Sequence, residues 1–250
     1  MERLLRTSGT LAVLLLAWEL AARAWFPVYI LPPPSLVGRT LLALFVDGTL
    51  WQNLRISLER VFAGYLIATA LAIPLGIAAG WWKPIDHTVG SVLELLRPLP
   101  ALALIPLAIV WLGFGEVSKI ALIAYASFFS IYLNTRAGVQ NVDPLHVKVM
   151  LIYGNGTKDV LTKVVLYSIL PYVFTGLRYS AAVALILLVA VELVGAQSGL
   201  GFFLVQAQSF LQMPQMFAAI VVFGVLGFCA NFLVAGIERR VIRWRPEIRS

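Results

Sequence analysis

Charge is what this chain has least of. Only 12% of its residues are Asp, Glu, Lys or Arg, against roughly 25% in an ordinary soluble domain, while 60% are hydrophobic and the mean hydropathy is +0.90. A soluble fold of 250 residues cannot bury that much apolar surface, so a membrane must supply the apolar solvent. Cysteine is almost missing too: Cys229 stands alone inside an apolar run, which excludes an internal disulfide framework and a Cys-based metal site. The two histidines, His87 and His146, are far apart in sequence and speak against a His-rich metal site. Acidic residues number 12 against 19 Lys and Arg, a net charge of +7. The basic residues bracket apolar segments and gather at the C-terminus (Arg239, Arg240, Arg243, Arg245, Arg249). That is the bias of cytoplasmic loops rather than a phosphate-tracking groove, and it argues against nucleic acid as a partner.

An all-α, polytopic bundle of about six transmembrane spans is therefore expected, each needing about 20 apolar residues. The candidates are Leu11–Phe26, Val61–Trp81, Ile85–Leu112, Ile120–Leu133, Tyr172–Val194 and Phe217–Ile237. The first resembles a signal peptide in length, but it contains Glu19 and no small-residue cleavage site precedes Pro27, so a retained helix is the reading taken. The prolines of LPPPS (Leu31–Ser35) exclude a helix interior there, and Leu36–Phe45 reads as a short interfacial helix on the outer side. LRPLP (Leu96–Pro100) must break or kink the third span, as happens where backbone lines protein or a cavity. With both termini inside, the polar interval Asn134–Lys163 and most Lys and Arg fall in the cytoplasm, as the positive-inside rule requires. No tandem or inverted repeat of spans is evident, which weakens a secondary-transporter reading.

That interval is the one long polar stretch between spans. Asp143 can cap a helix with Pro144 in its first turn, and Leu145, Val149 and Ile152 form an apolar stripe widened by Val147, Met150 and Leu151. The helix should stop at Gly154, with Gly156 a second permissive position, and another begin near Thr157 with Asp159 and Lys163 at i, i+4. The result is a protruding elbow, either a tidy interhelical loop or a docking surface; Lys148, Leu151, Ile152, Tyr153, Gly154, Asn155, Gly156 and Lys158 are its candidate contacts.

Gly154, thirteen residues before Tyr167, then ILP (Ile169–Pro171) and GLR (Gly176–Arg178), resembles the cytoplasmic signature loop of ABC-importer permeases. Its EAA positions are here Lys148, Val149 and Met150, and a proline common in that loop is Tyr167. WQNLRISLERVFAGY (Trp51–Tyr65), IPLG (Ile73–Gly76), LRPLPALALIPLAIVWLGFGEVSKI (Leu96–Ile120) and VELVGAQSGLG (Val191–Gly201) stand in the order found in the nitrate/sulfonate/taurine group of these permeases. The resemblance covers roughly residues 30–240. It implies a type I ABC-importer permease fold in a single permease domain over 1–250, in a bacterial or archaeal inner membrane. It also implies a homodimer or pseudo-dimer, two ATP-binding cassette subunits on the cytoplasmic face and a periplasmic or lipid-anchored solute-binding protein outside. The chain has no Gly-x4-Gly-Lys-Ser/Thr phosphate loop, so no cofactor is expected in it, and ATP and Mg belong to the partner ATPase.

The substrate path is less sharply marked. Arg97 with Pro98 and Pro100 can stand beside a pore, where a cation suits an anionic substrate, or Arg97 can pair with Glu94 at i, i+3. Glu192 can be path-lining or a capping carboxylate, since a carboxylate at the bilayer centre costs about 2.5–3.5 kcal/mol. Ser198, Gly199 and Gly201 form either a gate at the outer mouth or a surface turn; Glu116 and Lys119 are expected to pair at the surface. Import of a small organic anion or oxyanion, with sulfonates leading, is the function the resemblance implies. The alternatives are a pyrimidine-type vitamin precursor carried by the same machinery and a self-sufficient secondary transporter. An intramembrane enzyme would need a catalytic pair inside spans, and Glu19, Glu94 and Glu192 have no obvious catalytic partner.

Overall fold

The computed structural model describes residues 2–243, with side chains from Gly9 onward; Arg245 and Arg249 and the side chains of Arg3 and Arg6 lie outside the described residues. Among the described residues ten helical segments follow one another: α1 (Glu2–Ala24), α2 (Pro34–Val46), α3 (Thr49–Trp81), α4 (Lys83–Leu96), α5 (Ala101–Leu112), α6 (Glu116–Gln140), α7 (Pro144–Ile152), α8 (Thr157–Gly195), α9 (Leu200–Ser209) and α10 (Met213–Val241). Among the described residues no strand occurs. Helices α3, α6, α8 and α10 are long and apolar enough to cross a membrane, and α4 and α5 together are apolar enough to do so but are bent by 82°, as a broken span or a re-entrant loop is. The bend lies at LRPLP, where two prolines leave the helix without donors. The Leu96 carbonyl at the break accepts the Tyr125 hydroxyl (2.9 Å). With α1, a helix of 23 residues whose first side chains are not described, the expected six apolar segments are all helical.

The chain divides into two compact units. One holds the residues up to Leu58 together with Glu192–Val225; the other holds Glu59–Val191 and the chain from Leu226. The second is organised around a row of small residues on α3. Gly64, Ala68, Ala72, Gly76 and Gly80 recur every four residues, and Ala68 and Ala72 are fully buried. A Cβ at Gly64 would stand 2.7 Å from Ile123, one at Gly76 2.7 Å from Thr135, and one at Gly80 2.5 Å from Val139, all on α6. Apolar side chains feel no hydrophobic force toward one another in lipid, so close backbone approach and dispersion hold the pair together. The same device joins α6 to α8, where Gly138 meets the Tyr172 ring and Gly176 meets the Ser130 carbonyl.

Helix ends depart from the sequence expectation in two places. The fourth span was expected to end at Leu133 but α6 continues to Gln140, because Gly138 and Val139 are buried against α8. The second helix of the elbow and the fifth span are one element: α8 passes through a π-helical turn at Leu161–Val165 and carries Pro171 in its interior. Helix α9 had no counterpart among the expected elements.

In the first unit, α1 and α2 are tied by Glu19. Its carboxylate accepts from the Ser35 N–H (3.0 Å), the Ser35 hydroxyl (2.8 Å) and Arg23 Nε (2.6 Å). It thereby satisfies an N–H in the first turn of α2, whose own N-cap residue, Pro33, offers no side-chain acceptor. Trp18 packs on Phe217 with ring centroids 5.8 Å apart.

Candidate functional site

The elbow forms as its residues dictate. Asp143 caps α7, its carboxylate accepting the Leu145 N–H at 2.8 Å. At the other end the Asn155 N–H donates to Met150 O (3.1 Å) and the Gly154 N–H to Leu151 O (3.0 Å). This six-to-one and five-to-two pattern requires a left-handed residue, which Gly154 supplies with φ +78°. Thr157 opens α8, and Lys163 Nζ pairs with Asp159 at 2.7 Å. Val147 and Met150 turn inward onto Val139, Val160, Val165, Ile169 and Val173. The opposite side, Leu145, Val149, Leu151, Ile152 and Tyr153, is exposed, with Ile152 and Tyr153 each 81% accessible. Lys148, Gly154, Gly156 and Lys158 are exposed as well, and Asn155 is half-buried, its side-chain amide donating to Met150 O (3.1 Å). A two-helix corner with its inner face already filled thus presents a second apolar face outward.

The other candidate cluster sits in the first unit and centres on Glu192, only 1% exposed. The turn before α9 places three successive backbone N–H groups in an array: Gly199 donates to Asn53 Oδ1 (2.9 Å), Leu200 to Ser57 Oγ (2.9 Å) and Gly201 to Glu192 Oε2 (2.8 Å). Ser57, fully buried, donates its own proton to both Glu192 oxygens (2.7 and 2.9 Å). The carboxylate therefore occupies the position an anion takes at a helix N-terminus, where unsatisfied N–H groups and the helix dipole favour negative charge. This is what makes burial of the charge tolerable. Gly199 is held at φ +109°, and Gly199, Leu200 and Gly201 are buried, so the turn is not a surface turn. Of the residues singled out in the sequence, Glu192, Gly199 and Gly201 are brought together here, and Ser198 precedes them. Arg97, Pro98 and Pro100 belong to the other unit and are exposed.

Two ion-pair clusters in the second unit were only partly legible. Glu94 pairs with Arg136 (2.8 Å) rather than with Arg97. Arg136 also meets Asp86 (2.6 Å), beside the π-helical turn Asp86–Gly90, so it clamps α4 to α6. Glu116 does pair with Lys119 (3.3 Å), but not at the surface, since Lys119 is buried, and its main partner is Arg60, 2% exposed, with Nε at 2.5 Å and Nη2 at 2.7 Å. Asn53, Ser57, Arg60, Asp86 and Arg136 all escaped the sequence reading. For Ser57 and Arg60 a signal existed, because they lie on α3 in line with the small-residue row, on the face that must be buried. Arg178, the last residue of the GLR motif, pairs with Glu238 on α10. Among the described residues no group of His, Cys, Asp and Glu is placed to hold a metal ion.

Long apolar helices, a proline-broken apolar segment, buried charges paired within each unit and an apolar elbow define a polytopic helical membrane protein with an exposed docking corner. The comparisons with known proteins specify it. Residues 72–243 match the family described as binding-protein-dependent transport system inner membrane component, and the chain belongs to that family. It is 37% identical to the taurine transport system permease protein TauC of Escherichia coli K12, over 96% of this chain and 90% of that one. It is 35% identical to the putative aliphatic sulfonates transport permease protein SsuC of Bacillus subtilis 168, over 94% and 85%. The fold matches a solved chain of the MetNI methionine ABC transporter in an inward-facing conformation with a TM-score of 0.68, at 18% identity, over 81% of this chain and 98% of that one. The chain is thus a multi-pass permease subunit of an ABC importer, working with separate ATP-binding subunits and a solute-binding protein.

Proposed function

We propose that two copies of this chain form the translocation path of an importer for small sulfonates, of the size and charge of taurine and short alkanesulfonates. The named relatives TauC and SsuC support the substrate class. Two ATP-binding subunits carry the ATP and Mg and sit on the cytoplasmic side, where both termini of this chain also lie; the solute-binding protein delivers the anion from outside. The observation that carries the coupling is the elbow. Its inner residues Val147 and Met150 are locked into the unit while Leu145, Val149, Leu151, Ile152 and Tyr153 face outward. A partner groove that takes these side chains moves α7, and α7 moves the start of α8 through the Gly154–Gly156 turn. Alternating access then follows from rigid-body movement of packed helices between two arrangements. Glu192, Ser57 and Asn53 act as positioning residues that hold the start of α9 in place while the spans move.

Reconstitution of the permease with its ATPase and binding protein in proteoliposomes tests this reading. Binding protein loaded with taurine or an alkanesulfonate is expected to stimulate ATP hydrolysis, and nitrate or a pyrimidine precursor to stimulate it less. Stimulation by a pyrimidine precursor alone overturns the substrate class. Ion-gradient-driven uptake by the chain without an ATPase overturns the coupling.

A further inference from the structure

The matched family segment begins at residue 72, so α1 and α2 lie before it. Between them is a cavity of about 400 Å³ that the transport reading leaves unused. Its walls include Arg23, Arg39, Ser35, Phe26, Val28 and Leu36. Arg23 is already engaged by Glu19 and also donates from Nη2 to the Ser35 hydroxyl (3.3 Å). Arg39 is exposed and makes no ion pair or hydrogen bond among the described residues. One carboxylate at the edge and two guanidinium groups on the wall leave the cavity with a positive charge to be matched.

The surroundings say what kind of anion matches it. Along α1 the side chains of Leu11, Leu14, Leu16 and Leu20, on more than one side of the helix, are 58–67% exposed, apolar surface of the kind acyl chains cover in a membrane. Past the end of that helix stand Trp25 (79% exposed) and Tyr29 (67%), the amphipathic aromatics that collect at headgroup depth, with the apolar Phe26 between them. The cavity lies immediately beyond them in the chain. Its apolar wall of Phe26, Val28 and Leu36 suits the glycerol and ester region of a lipid, and its guanidinium groups suit a phosphodiester, to which arginine donates in a planar fork.

We propose that the cavity between α1 and α2 binds the phosphate headgroup of an anionic phospholipid, with Arg39 as the residue that selects charge. A guanidinium at headgroup depth attracts a phosphodiester through charge-assisted hydrogen bonds on either side of the membrane. The site requires only that the chain sits in a bilayer, so it stands or falls separately from the sulfonate reading.

The test is lipid retention by the full-length chain, followed by native mass spectrometry after exchange into micelles doped with phosphatidylglycerol or phosphatidylcholine of the same acyl chains. The wild type is expected to retain phosphatidylglycerol in preference, and Arg39→Gln to lower that retention about fivefold, as removal of one surface arginine does. Arg39→Lys should keep most of it. Because Arg39 makes no ion pair or hydrogen bond among the described residues, Arg39→Gln should leave the thermal melting point unchanged, which separates loss of the lipid from loss of the fold. Equal retention of the two lipids, or an unchanged Arg39→Gln variant, overturns the proposal. Displacement of the lipid by millimolar inorganic phosphate or taurine overturns a lipid site in favour of a free-anion site. If Arg39→Gln instead weakens capture of the solute-binding protein while lipid retention holds, the surface belongs to that protein and the proposal fails.

Discussion

Glu192 illustrates how a charge survives inside a membrane protein. The carboxylate accepts one backbone N–H and the Ser57 hydroxyl, and Ser57 in turn accepts the N–H of Leu200. Hydrogen bonds to charged groups contribute about 1.5–3 kcal/mol each. Glu192→Ala, which strips two donors of their acceptor, is expected to destabilise the detergent-solubilised protein by at least about 2 kcal/mol. Glu192→Gln, which keeps one acceptor oxygen, should fall between Ala and wild type, and thermal unfolding of the three variants checks the order. Arg60 makes the complementary case. It is buried while Glu116, its partner, has a side chain 54% exposed. Truncating Glu116 leaves a buried cation short of its carboxylate, and water reaching the Glu116 side softens the loss. Arg60→Ala removes a buried side chain with all its contacts as well. Thermal unfolding should therefore rank Arg60→Ala below Glu116→Ala; the reverse order would mean that the exposed carboxylate carries the pair.

At the scale of elements, two glycines on different helices separate space from conformation. Gly80 has no room: an added Cβ falls 2.5 Å from the Val139 Cβ and 3.0 Å from the Arg136 carbonyl. Gly80→Ala should push α3 away from α6 and cost about 1–3 kcal/mol. Gly224 on α10 has open space around it, so Gly224→Ala should be neutral or stabilising by up to about 1 kcal/mol, mostly from the lower entropy of the unfolded chain. Gly154 also has nothing within 4 Å, yet its φ of +78° penalises a side chain by about 1–2 kcal/mol. A β-branched residue there should turn α7 away from its seat. Gly154→Val is accordingly expected to insert normally but to lose its ATPase on co-purification and to lose coupled transport, whereas Gly154→Asn, which tolerates the left-handed region, should keep both. Normal transport by Gly154→Val would remove the elbow from the coupling pathway.

For the molecule as a whole, the decisive measurement is which side of the membrane the elbow faces. Cys229 is exposed and the only cysteine, so Cys229→Ser supplies a background without thiols. In it, Leu151→Cys, at a position 51% exposed, should react with a membrane-impermeant maleimide in inverted vesicles and not in right-side-out ones. Addition of the ATPase should protect it. Labelling from the outside would invert the proposed topology, and with it the side on which the partner ATPase must sit.

Much of this was written in the sequence because the solvent is so unforgiving. Each of the six expected apolar segments became helical over most of its length, since a helix satisfies its backbone polar groups internally where lipid offers them no partner. LRPLP broke its span, since proline lacks the donor a helix needs. Asp143 and Gly154 bounded the elbow helix, because capping and positive φ are local properties. What the sequence could not show was which charges meet. Arg136 chose Asp86 and Glu94 over the nearer Arg97–Glu94 pairing, and Arg60 found Glu116 from 56 residues away. Glu192, readable as path or cap, became the cap of a helix that no periodicity had announced. Those outcomes depend on the close approach of α3 to α6 and on the turn that begins α9, where the packing of distant segments decides which polar groups leave water together. Local chemistry determined the elements and their ends; the partners of the buried charges, and hence the candidate site around Glu192, were decided only in three dimensions.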